Sequence, residues 1–86
     1  MKIMTGNQIA NNIKAERNRA GITIDEVCNK LNISRPTYIE YEKDAKLVKT
    51  KMLIELSEIF DCDINMFFYA KELNNMLNDK EWILCQ

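Results

Sequence analysis

Two helix starts stand unusually close together in this chain. Thr23-Ile-Asp-Glu26 has the capping-box pattern, in which the threonine accepts from a backbone N–H three residues on and the glutamate reaches back. Asp25 and Glu26 also suit the positive end of a helix dipole. Ser34-Arg-Pro36 opens another helix, with Pro36 in a first turn where its missing N–H has no partner to lose. Val27, Cys28 and Leu31 form the buried stripe of the earlier helix, and only Asn32 and Ile33 then precede the new cap. Two capped helices joined by about three to four residues leave the chain few paths.

The later helix is short and divided by face. Tyr38 and Tyr41 hold it from behind, with Glu42 beside them, while Arg35, Ile39 and Glu40 are left on the other side. Helical signals continue in both directions. Thr5-Gly-Asn-Gln8 caps a first helix whose stripe is Ile9, Ile13, Arg17 and Ala20, and Gly21 stops it in the left-handed conformation. Beyond the basic loop KDAKLVK at 43–49, Thr50 caps a fourth helix with Leu53, Leu56, Ile59 and Phe60 inward. Asp63 caps a fifth, with Ile64, Phe67 and Phe68 turned in. The remainder carries Leu73, Met76, Leu77, Trp82 and Ile83 and reads as more helix, or as a short strand over EWILC. No window sustains strand-type alternation.

The expected fold class is therefore all-α: a compact five-helix domain over residues 1–68, with a C-terminal helical or short-strand extension over residues 69–86. A chain of 86 residues buries only about 60–65% of its unfolded surface, so its core is economical or is enlarged by a partner chain.

Composition narrows the function. Apolar residues make up 47% and charged ones 29%, the balance of a soluble globular protein. No apolar run approaches the roughly 20 residues of a membrane span, and MKIMTGNQIANN has no signal-peptide core, so a cytoplasmic location without membrane contact is expected. Cys28, Cys62 and Cys85 are scattered and histidine is absent, so no metal or other cofactor is expected and the thiols are read as reduced. Without histidine the commonest general base is missing, Ser34 and Ser57 have no base near them, and Gly6 with Gly21 cannot build a phosphate-cradling loop. Catalysis is not expected. The net charge of −1 is unevenly spread: residues 1–54 hold ten Lys/Arg against six Asp/Glu, and residues 55–86 hold two against seven. One pole should attract anions.

Taken in order, TIDEVCNKLNISRPTYIEYEK and then LIELSEIFDCDINMFF resemble the DNA-binding domain of the phage lambda repressor and Cro-like helix-turn-helix family, of the xenobiotic-response-element type. The resemblance covers about residues 7–68. It rests on Gly21-Ile22-Thr23 after the first helix, Leu31-x-Ile33-Ser34 at the turn, Tyr41-Glu42 closing the third helix, and Leu53-x-x-Leu56-Ser57-x-x-Phe60 before Ile64-x-x-x-Phe68. It implies double-stranded DNA as partner, with the helix from Ser34 to about Glu42 in the major groove. Base contacts would come from Ser34, Arg35, Pro36, Thr37 and Glu40. Phosphate contacts would come from Thr23 and Ile24 and, in the following loop, Lys43 and Lys46. An ion pair between Arg17 and Glu42 is also implied, as is binding to a palindromic site as a homodimer. The chain departs from the family at three places. Lys43-Asp44-Ala45 stands where a glycine is usual, Glu16 replaces an apolar residue, and Pro36 and Glu40 are uncommon at reading positions.

The residues admit the matching chemistry. Arg35 could offer two parallel donors to guanine O6 and N7, worth about 1–3 kcal/mol of discrimination, against the alternative of a plain exposed arginine. Glu40 could accept from a cytosine amino group or simply be solvated. Lys43, Lys46, Lys49 and Lys51 make either a phosphate track or a solvated face. One such module spans too little duplex for useful specificity. Residues from about 68 onward, with Trp82, Ile83 and Leu84, are therefore expected to build a dimer. The expected function is a sequence-specific transcriptional regulator, a repressor of phage or mobile-element type. The alternative is a protein-binding adaptor of the same fold, an antitoxin or antirepressor with a protein partner, for which the overall acidity and Glu40 count.

Overall fold

A computed structural model describes residues 5–69. Four α-helices, α1 (Gly6–Ala20), α2 (Ile24–Leu31), α3 (Arg35–Tyr41) and α4 (Thr50–Phe60), are joined by short turns, with 3-10 turns at Ala45–Leu47 and Ile64–Phe68. No strand occurs among the described residues.

Local chemistry sets most helix ends. Thr5 Oγ1 accepts from the Gln8 N–H at 3.1 Å while the Thr5 N–H donates to Gln8 Oε1 at 2.8 Å, satisfying donors that a helix start leaves open. α1 stops at Gly21, whose φ of 72° costs a residue without Cβ little. α2 closes in the same conformation without glycine, on Asn32 at φ 57° and ψ 48°. Asparagine is one of the few side chains that visit this region routinely. The Ile33 N–H then donates to the Cys28 carbonyl at 3.1 Å, and Ser34 arrives in position to accept from the Thr37 N–H at 3.3 Å. α4 begins differently from the sequence expectation. Lys49 occupies the cap position with no side-chain bond, and Thr50 is already the first helical residue.

α1 packs against α4 and both 3-10 turns, while α2 lies between α3 and α4. Ile13, Val27, Tyr38, Leu56, Phe60 and Phe67 are the largest side chains fully buried between these elements. Phe60 and Phe67 meet edge to face with ring centroids 6.3 Å apart, a favoured aromatic geometry.

The fifth helix expected after Asp63 is a 3-10 turn of 5 residues. Asp63 does cap it, accepting from the Asn65 N–H at 2.9 Å. Side chains at i and i+3 eclipse in such a turn. Ile64 and Phe67 therefore share the inner face, and Phe68 points outward at 44% exposure instead of joining the core. Expectations for residues 70–86, including Trp82, Ile83 and Leu84, lie outside the described residues.

Candidate nucleic-acid interface

α3 is fixed from behind by a polar network built on one guanidinium. Arg17 Nε donates to Glu42 Oε2 at 2.7 Å, its Nη2 to Glu42 Oε1 at 3.4 Å, and its Nη1 to the Ile22 carbonyl at 2.9 Å. The Tyr38 hydroxyl donates to Glu42 Oε2 as well. The Arg17 and Glu42 side chains are 11% and 9% exposed, so this is a nearly buried pair. Its hydrogen bond to Glu42 raises the Arg17 pKa, and burial, reinforced by Glu42, pushes up that of the Tyr38 phenol. One arginine thus links the end of α1, the α1–α2 turn and the close of α3. Tyr41 stands edge-on to Tyr38, centroids 6.2 Å apart.

The opposite edge of α3 is open. Ser34, Arg35, Pro36, Thr37 and Glu40 are all exposed, and the Ser34 and Thr37 hydroxyls lie 2.8 Å apart. Ile39 is half-buried beside them. At the start of α2, exposed Thr23 and half-buried Ile24 lie in a capping box: the Thr23 N–H donates to Glu26 Oε1 at 2.8 Å and Thr23 Oγ1 accepts from the Glu26 N–H at 3.1 Å. The Ile24 N–H, which a first helical turn does not use, remains available to an anion, while the Thr23 hydroxyl also bonds the Glu26 carboxylate. The Thr23 backbone bond also lowers the Glu26 pKa, keeping that carboxylate charged.

Lys43 and Lys46 project from a turn that manages without glycine. The Lys43 and Asp44 N–H groups both donate to the Glu40 carbonyl at 3.0 Å, and Asp44 Oδ1 accepts from the Lys46 N–H at 3.0 Å. Positive φ occurs among the described residues only at Gly21, Asn32 and Asp61, so this path uses ordinary backbone. The glycine requirement has moved to Gly6, where a Cβ would stand 1.9 Å from Asp44 Oδ1. Asn7 reinforces the contact by donating to the Lys43 carbonyl at 2.7 Å. The start of α1 therefore pins the loop.

Three polar ties have no counterpart in the sequence reading. Asn12 is buried and donates to the carbonyls of Phe67 at 2.9 Å and Tyr69 at 2.7 Å. Glu16, at its apolar position, is buried beneath Arg19, whose Nε donates to it at 2.7 Å and whose Nη2 donates to the Phe60 carbonyl at 2.9 Å. The three-residue spacing of Glu16 and Arg19 was the available signal for this one. Arg35 is bonded through Nη1 to Asp25 of α2, a pairing that no local spacing announces. Cys28 and Cys62 are free, Cys28 buried and Cys62 half-buried, and burial pushes both thiols up in pKa, away from the thiolate form.

A family model described as helix-turn-helix matches residues 13–67. An uncharacterized HTH-type transcriptional regulator, YqaE of Bacillus subtilis (strain 168), is 30% identical over 81 residues, an alignment covering 85% of this chain and 70% of that protein. No solved structure matches.

Proposed function

The chain belongs to the helix-turn-helix family of the lambda repressor and Cro, and on that footing we propose that it regulates transcription by binding a specific sequence of duplex DNA, with α3 in the major groove. The observation that carries this reading is the division of α3: Tyr38 is wholly buried and tied to Glu42, while Ser34, Arg35, Pro36, Thr37 and Glu40 face outward together. Those five residues contact bases, and Thr23, Ile24, Lys43 and Lys46 hold phosphates on either side. Phosphate contacts set register and base contacts set sequence.

In the same reading the protein is a repressor of phage or mobile-element type that binds a palindromic operator as a homodimer. Residues 1–68 form the reading domain, and residues 69–86, with Trp82, Ile83 and Leu84, form the dimer contact. Met66, Phe68 and Tyr69 support this, since they expose apolar surface where the extension leaves the domain. Selection of bound duplexes from a random pool tests the proposal. A dyad-symmetric site should emerge, and Arg35→Ala should lose about 1–3 kcal/mol of preference at one base pair in each half-site. A pool with no enriched sequence would refute sequence-specific binding. Sedimentation of a chain ended after Lys71 should show a monomer; an undiminished dimer would move the contact elsewhere.

A second reading, the protein-binding adaptor, is favoured by one feature. Leu47 is 71% exposed on a groove of about 410 Å³ walled by Leu31, Tyr41 and Met52, with Lys49, Lys51 and Glu55 around it. Failure of the protein to retain any duplex at low salt would favour that reading over DNA binding.

A further inference from the structure

The cations of the proposed DNA face are each already paired. Arg35 Nη1 contacts Asp25 Oδ1, Lys43 Nζ lies 3.5 Å from Glu40 Oε2, and Lys46 Nζ lies 3.5 Å from Asp44 Oδ2. The remaining ion pairs among the described residues, Arg17–Glu42 and Arg19–Glu16, each bury a carboxylate, and their arginines reach other elements, Arg17 through Glu42 itself and Arg19 through the Phe60 carbonyl. The three on the DNA face are different. Their cations are 56–74% exposed, and exposed pairs of this kind contribute little to folding. Stability therefore does not account for their concentration around α3. Lys14, Lys49 and Lys51, by contrast, join no ion pair among the described residues.

A carboxylate this near an ammonium lies well inside the Debye length, about 8–10 Å, of any phosphate the ammonium touches. It subtracts from the attraction. Binding to duplex of arbitrary sequence comes almost entirely from that attraction, so it bears the whole loss. Sequence-specific binding has compensations. With Nη1 on Asp25, Arg35 keeps its Nε–Nη2 edge for guanine O6 and N7, and the Asp25 contact holds that edge in one orientation. Glu40 can accept from a cytosine amino group when the correct base is present.

We propose that Asp25, Glu40 and Asp44 act as built-in counterions that suppress binding to DNA of arbitrary sequence and leave discrimination to base contacts. This rests on the DNA reading above and deepens it. The test uses the full chain and the triple variant Asp25→Asn, Glu40→Gln, Asp44→Asn, with each single variant alongside. The amides keep shape and remove charge, and an amide oxygen at position 44 still accepts from the Lys46 N–H. Fluorescence anisotropy over a series of salt concentrations reports affinity for a random-sequence duplex and for the duplex recovered by selection, while circular dichroism checks folding. Random-duplex affinity should rise about threefold per charge removed, on the order of tenfold or more for the triple variant. Its salt dependence should steepen, and the ratio between the two duplexes should shrink. Unchanged random-duplex affinity in a folded variant, or equal gains on both duplexes, overturns the inference while leaving DNA binding in place. A wild-type protein that retains neither duplex overturns both.

Discussion

Arg17→Ala should lower stability by about 3 kcal/mol or more, the scale for breaking a buried ion pair from one side. For a domain this small that corresponds to a fall in Tm of roughly 12 °C or more, against little change for Lys14→Ala on the exposed face of α1. The loss is large because the substitution strands Glu42, whose carboxylate is 9% exposed, and removes the donor to the Ile22 carbonyl. Glu42→Ala should be comparably harmful, since it leaves the Arg17 guanidinium and the Tyr38 hydroxyl without their shared acceptor. The double variant Arg17→Ala, Glu42→Ala should cost clearly less than the two single losses added together, because no charge is then left unpaired. Thermal denaturation of the four proteins gives the coupling directly. Additive losses would mean the two residues do not act as a pair.

Tyr38 gives the same network an alkaline limit. Its folded-state pKa is raised, by burial first and by the Glu42 acceptor second. Its contribution is therefore intact below the unfolded value of about 10 and is lost as pH climbs above that. In Tyr38→Phe the loss at alkaline pH should be smaller than in the wild type.

What the sequence made legible is mostly what is local. The Thr5–Gln8 and Thr23–Glu26 boxes, the left-handed Gly21 and the Ser34 cap each depend on residues within a few positions, and their backbone requirements select few residue types. Arg17 and Glu42 are a different case. Nothing in their spacing links them, and they entered through the family resemblance. The ties between elements were hidden for the corresponding reason. Asn12 sits between Ile9 and Ile13 on the inward stripe of α1, where a polar residue reads as an interruption until Phe67 and Tyr69 supply carbonyls for its amide. Asp25 looks like a helix-dipole residue until Arg35 is seen beside it. The open turn at Lys43-Asp44-Ala45 becomes intelligible only through Gly6 on a distant helix.

The segment after Asp63 shows why the count of helices was overestimated. Ile64, Phe67 and Phe68 fit an α-helical stripe and a 3-10 face almost equally over 5 residues, and only the burial of each side chain separates the two. That segment still contributes heavily to the core. Phe67→Ala should cost about 3–5 kcal/mol, because a fully buried ring is removed between α1 and α4 and Phe60 loses its edge-to-face neighbour. Phe67→Leu, which fills more of the space, should cost less. Asn12→Ala attacks the same junction through its polar tie, leaving the Phe67 carbonyl unsatisfied at about 1–3 kcal/mol. The junction does not include α3, so these variants, measured at a temperature where they remain folded, should keep the wild-type duplex affinity and salt dependence. Arg17→Ala should not, because it frees the close of α3 as well as destabilising the fold. A Phe67→Ala protein melting within a few degrees of wild type would mean that the four helices close their core without the 3-10 turn. One with altered salt dependence would bring the turn into the DNA interface.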